Sequence, residues 1–349
     1  MYSDADLDAA VAAGAMTQEE VAKFRQHIAD SKASPVVDEE HFRLLTGFND
    51  IFVSIASLLI LIAVGRLGDQ VSLGLGSSLA AAASWGLAEY FTRKRRMALP
   101  SILFLFGFAG GVFGSVISLS GMLHPPFTSD NLALPVAGAG ALAAAAAYLH
   151  WRRFMVPITP AVGMAAAIAT VLGLALYWVP AARQHIPPLV LMAGIVTFAF
   201  AMHWDMSDRE RLTRRSDVAF WLHLAAAPMI IHPIFSMLGL TGFRLWLQHG
   251  GAQEVDLTNA VLAVLIYVGL AGIALAIDRR AILVSALAYV LIAASTLINA
   301  AGSLTYSFAL TALMIGSALL MLSAFWHKTR NRVLNLVPQP LRSRLPATA

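Results

Sequence analysis

"FWLHLAAAPMIIHPIFSMLG", residues 220–239, runs twenty residues without a carboxylate, a lysine or an arginine. At about 1.5 Å per residue, that length crosses a hydrocarbon core about 30 Å thick as one helix. Its two histidines and two prolines are the residue types a helix in hydrocarbon accommodates least, so the stretch poses both a fold and a candidate site. Working outward from it, apolar stretches of spanning length recur at 48–66, 71–91, 98–121, 132–150, 156–179, 187–204, 218–240, 259–277, 281–300 and 304–326. The expected fold is all-α: a polytopic transmembrane bundle of about ten spans.

Composition agrees. With 58% hydrophobic residues, 13% charged residues and a mean hydropathy of +0.70, the chain has more apolar surface than a soluble core of this size encloses. A net charge of +4 raises the question of nucleic acid, but the basic residues stand in short clusters between apolar runs, where they orient helices in a bilayer. Nucleic-acid binding is rejected. The absence of cysteine excludes disulfides, thiolate metal sites and cysteine nucleophiles.

Of the 24 Lys and Arg residues, 17 lie in the loops after even-numbered spans or in the C-terminal tail, against Arg66, Arg183 and Arg244 after odd-numbered spans. Positive charge stays on the cytoplasmic side. Both termini are therefore expected in the cytoplasm, and the membrane expected is the bacterial inner membrane.

Residues 1–47 hold nine of the 20 acidic residues and form a separate region, followed by a bundle over 48–326 and a tail over 327–349. "DADLDAAVAAGA" reads as a short helix closed by Gly14. "TQEEVAKFRQHIAD" opens with Thr17 and Glu20 in capping-box spacing, with Val21, Phe24 and Ile28 as its apolar stripe. The pair predicts a cytoplasmic helical hairpin and, with it, a cytoplasmic protein partner. The tail "HKTRNRVLNLVPQPLRSRLP" alternates arginines with Val333, Leu334, Leu336, Val337 and Leu341, the pattern of a segment lying on anionic lipid headgroups. From "LDAAVAAGAMTQEEVAKF" through "FRLLTGFNDIFV" to "LVPQPLRSRLP", the chain resembles the uncharacterised bacterial families of predicted membrane proteins with an N-terminal cytoplasmic helical extension. The resemblance implies a home in the inner membrane and transfers no activity.

There is no H-E-x-x-H, no G-x-x-x-x-G-K-[ST], no G-x-S-x-G and no paired intramembrane aspartate, and no cofactor is expected. "GLGSS" at 74–78 lacks a preceding strand and reads as a packing surface. So do Gly107, Gly110, Gly111 and Gly114, which form small-xxx-small pairs. Glu89 with Arg93, and Asp278 with Arg279 and Arg280, read as interface pairs. Asp217 and Asp256 read as helix caps, and Asp50 as part of the first helix start. On this reading no carboxylate is deeply buried.

In 220–239, His223 is about 8 Å and His232 about 21 Å from the start of the span, on opposite faces of a regular helix at about 100° per residue. Pro228 and Pro233 free two backbone carbonyls, which predicts a bend or break there. Ser295, Thr296 and Asn299 fall at the depth of His232 and form with it, and with His223 nearer the cytoplasm, a candidate polar cavity around this span. The cavity is either helix glue or a site for a solute or proton. Two function classes follow: a permease-like carrier of a small solute, ten spans dividing five plus five as inverted repeats require, or a non-transporting scaffold, assembly factor or sensor whose hairpin binds a cytoplasmic partner. A lipid-acting enzyme ranks third, because no nucleophile and base are paired.

Overall fold

The computed structural model describes residues 4–24, 48–123, 131–208, 213–240, 257–301, 307–342 and 345, and their regular structure is helical throughout. The chain divides into two compact units, Met1–Thr46 and Gly47–Ala349.

In the first unit, α1 is Asp4–Ala12 and α2 covers residues 18–24. The capping box is present: Glu20 N–H donates to Thr17 Oγ1 (3.2 Å), and Thr17 N–H and Oγ1–H both donate to Glu20 Oε2 (2.8 Å each). Those bonds, the backbone one foremost, hold the Glu20 carboxyl below its ordinary value. The rest of the expected hairpin lies outside the described residues.

The second unit contains α3 Phe48–Val71, α4 Leu75–Ala88 with a π-helical turn Glu89–Lys94, α5 Ala98–Leu123, α6 Ala133–Phe154 and α7 Thr159–Trp178. A 3₁₀ turn at Pro180–His185 leads into α8 Ile186–Met206, followed by α9 Arg214–Met237, α10 Leu257–Ile277, α11 Ala281–Ala301, α12 Ser307–Ala324, α13 Trp326–Leu336 and α14 Gln339–Arg342. Among the described residues, seven helices are long and apolar enough to cross a membrane: Phe48–Val71, Ala98–Leu123, Ala133–Phe154, Thr159–Trp178, Pro180–Met206, Arg214–Met237 and Leu257–Ile277. An eighth is reached if Ala309–Ala324 and Trp326–Leu336, bent by 82°, count as one span.

Along α3 and α6 most large apolar groups point outward and most buried residues are small, whereas α9 buries Leu222, Ile231 and Phe235. Along α3, Phe52, Leu59 and Ile62 are exposed, whereas Ser57 and Gly68 are buried. Along α6 the buried row is Ala137, Gly140, Ala143 and Ala147. With no hydrophobic drive between helices in lipid, close backbone approach supplies the packing. Of the glycines expected to pack, Gly107, Gly111 and Gly114 abut Ser84, Ala81 and Ser77 of α4, while Gly110 faces open space.

From α3 to α7 each helix packs on its successor. The order then changes, as α9 lies against α8, α7 and α11. α9 runs as one helix through Pro228 and Pro233. It begins at Arg214 with Thr213 as N-cap, its hydroxyl accepting from Arg215 N–H, so Asp217 lies inside the first turn and is not the cap expected. Asp256 lies outside the described residues.

Candidate functional site

Asp205, on the last turn of α8, is 2% exposed. Arg279, in the turn joining α10 to α11, donates Nη2–H to its Oδ1 (2.6 Å). His223, two turns into α9, donates Nε2–H to its Oδ2 (2.8 Å). A carboxylate accepts only, which fixes the direction of both bonds. Arg279 also reaches the Ser216 carbonyl at 3.5 Å and lies over the Phe220 ring, and the Phe198 ring meets His223 edge-on. One carboxylate, one permanent cation and one imidazole thus join the ends of α8, α9 and the α10–α11 turn, all shielded from solvent.

The expectation of no buried carboxylate is overturned, for a reason of position. Asp205 falls one residue past the apolar run 187–204 and so reads as loop. Its one sequence signal is the match in position between an acid ending one apolar run and a base ending another.

The expected pairing of Asp278 with Arg279 is also corrected. Asp278 has a left-handed backbone (φ 58°), so consecutive side chains diverge. Arg279 turns into the Asp205 cluster, while Asp278 accepts from Trp326 Nε1–H (2.6 Å) and lies 3.9 Å from buried Arg330 of α13. Arg280 stacks over Trp326. α13 is thereby held across the base of α10, with Trp326, Arg330 and Leu334 on its buried face.

Of the residues singled out from the sequence, His223 and His232 do lie on opposite faces, His223 buried and His232 exposed. His232 shares a hydrogen bond through Nδ1 with the Tyr289 hydroxyl of α11, and Tyr289 stacks on Phe235 with ring centroids 5.0 Å apart. Ser295 is buried, and the Thr296 hydroxyl donates to the Ile292 carbonyl of its own helix (3.0 Å). The long tyrosine reaches across to His232, whereas the short threonine hydroxyl satisfies itself locally. Asn299 belongs to α11, its side chain outside the described residues.

Another buried histidine, His150 of α6, shares a hydrogen bond with Thr159 (3.3 Å) among the rings of Trp85, Phe108 and Phe154. Among the described residues, no group of three His, Asp or Glu is placed to hold a metal ion. Comparison of the chain with protein-family models, with curated proteins and with solved structures gave no match.

Proposed function

We propose that the chain is a ten-span carrier of a small solute in the bacterial inner membrane, closed on its cytoplasmic side by the Asp205–His223–Arg279 cluster. Ten spans add α4, α11 and α12 to the seven long helices, and the 17 to 3 division of basic residues supports placing both termini in the cytoplasm. In this topology the cluster lies at the cytoplasmic ends of α8, α9, α10 and α11.

The buried cluster is the observation that carries the reading. Ionisable groups are rare inside membrane proteins and mark ion and substrate pathways and their closures. Toward the other side, the solute cavity proposed is that of His232, Ser295, Thr296 and Asn299, with Tyr289 as its contact. Because the two halves pack in different orders, the proposal rests on the cluster and not on an inverted repeat.

Reporter fusions after residues 95, 210 and 335 are expected to signal cytoplasm, and after 126 and 250 periplasm. A periplasmic signal at 95, 210 or 335 overturns the topology.

Closure is tested by exploiting the absence of cysteine. Ala227, one turn beyond His223 and 1% exposed, becomes the only thiol when replaced by cysteine. In inside-out vesicles an impermeant maleimide is expected to label Ala227→Cys slowly in the native background. In Asp205→Asn labelling should be about tenfold faster or more, since each 1.4 kcal/mol taken from the closed state is a factor of ten. Equal rates overturn the gate and leave a second reading, favoured by the division into two units. In that reading the bundle is a scaffold or sensor, residues 1–47 bind a cytoplasmic protein, and the basic loops and tail rest on anionic headgroups.

A further inference from the structure

α13 leaves α12 at 82°, so where α12 crosses the bilayer, α13 runs nearly along its surface. At about 100° per residue its side chains fall into three sectors. The first, with Trp326, Arg330 and Leu334, is buried. The second holds His327, Asn331 and Asn335, which are exposed and polar. The third holds Lys328, Arg332 and Leu336, joined by Phe325 at the N-cap; all four are exposed, Phe325 53% and Leu336 86%. Lys328 Nζ lies 5.7 Å from the Phe325 ring centroid, which places the two side chains together. Of the tail residues expected on headgroups, Leu334 is buried and Val333 and Val337 are half-buried, so Leu336 is the one turned fully outward.

Two cations between two exposed apolar side chains match the boundary of headgroups and acyl chains. Residues 279–349 contain no Asp or Glu, and among the described residues neither Lys328 nor Arg332 is in an ion pair. The buried sector ties the same helix to the cluster. Trp326 Nε1–H donates to Asp278 (2.6 Å), Arg330 lies 3.9 Å from that carboxylate, and the next residue, Arg279, holds Asp205 (2.6 Å). One turn carries both contacts, so a movement that withdraws Arg279 from Asp205 also displaces the anchor of α13. A ligand that binds the anchored helix better than the displaced one favours the closed state. We propose that the Phe325–Lys328–Arg332–Leu336 stripe docks on anionic lipid headgroups of the cytoplasmic leaflet, and that docking holds the Asp205 cluster closed. The second clause rests on the carrier reading.

The full-length chain is placed inside-out in vesicles of phosphatidylcholine, alone or with about 30% phosphatidylglycerol. Leu336→Cys, the only thiol, carries bimane, whose emission is expected to move to the blue when phosphatidylglycerol is present. Asn331→Cys, in the second sector, should not respond. Each Lys or Arg near an anionic surface is worth about fivefold in partition, so Lys328→Gln with Arg332→Gln should weaken docking roughly 25-fold and remove the shift. In Ala227→Cys, labelling by an uncharged impermeant maleimide should slow at least about threefold with phosphatidylglycerol, an effect the two glutamines abolish. Asp205→Asn, its cluster already broken, should label fast in both lipids. No shift at Leu336, or an equal one at Asn331, overturns the docking surface and leaves the stripe to a protein partner. A shift at Leu336 with labelling indifferent to lipid, while Asp205→Asn still speeds it, overturns the coupling and spares the gate. If Asp205→Asn labels at the native rate, the gate has failed, and the Leu336 shift alone decides the docking surface.

Discussion

Arg279→Met is expected to destabilise the bundle by about 3–5 kcal/mol, because it leaves the Asp205 carboxylate buried with its permanent counter-charge removed. Asp205→Asn should cost a comparable amount by stranding the guanidinium. The double variant should be less destabilised than the two single changes added together by at least about 2 kcal/mol, since no uncompensated charge is left. Reversible unfolding in mixed detergent, read on all four proteins, supplies the cycle. Additive losses would mean that Asp205 and Arg279 act independently despite their 2.6 Å contact. His223→Gln retains an N–H donor toward Asp205 and should cost far less than either.

The next largest effect is expected from a single methyl group. A Cβ at Gly140 would stand 2.7 Å from the Ala166 carbonyl oxygen and from Thr170 Oγ1, and 2.8 Å from the Thr170 nitrogen. Two of these are backbone atoms of α7, which cannot swing aside as a side chain would. Gly140→Ala should therefore force α6 and α7 apart and cost about 1–3 kcal/mol. Gly138, two residues earlier, meets nothing within 4 Å, so Gly138→Ala should be neutral or stabilise by up to about 1 kcal/mol through helix propensity. Thermal unfolding of the two variants side by side makes the comparison. Equal behaviour would show that the α6–α7 interface tolerates separation.

What was legible in advance follows from the range over which each signal acts. Long apolar runs mark helices because the solvent for their side chains is lipid. Thr17 and Glu20 are three residues apart and cap as their spacing implies. The opposed faces of His223 and His232 follow from helical geometry alone.

Partners distant in sequence were beyond that range. Glu89 does meet Arg93 at 3.3 Å, as expected of an i,i+4 pair, but Arg153 holds it more closely at 2.6 Å from 64 residues away. Asp205 stood one residue outside an apolar run, and so small an offset at a span boundary decides whether a carboxylate reads as solvated or buried. Asp278 and Arg279 are adjacent in sequence yet belong to different clusters, because the left-handed backbone between two helices sends them apart.

The distance between Asp205 and Arg279 along the chain also sets a timetable for synthesis. Arg279 is made 74 residues after the aspartate, which at about 5–20 residues per second is an interval of roughly 4–15 s. His223 follows Asp205 by only 18 residues, or roughly 1–4 s at the same speed. The newborn α8–α9 hairpin therefore acquires its histidine bond first and emerges with a carboxylate still lacking its cation. The arginine arrives with the next hairpin and completes the joint, so the C-terminal third of the polypeptide acts as an internal assembly factor for the helices that precede it.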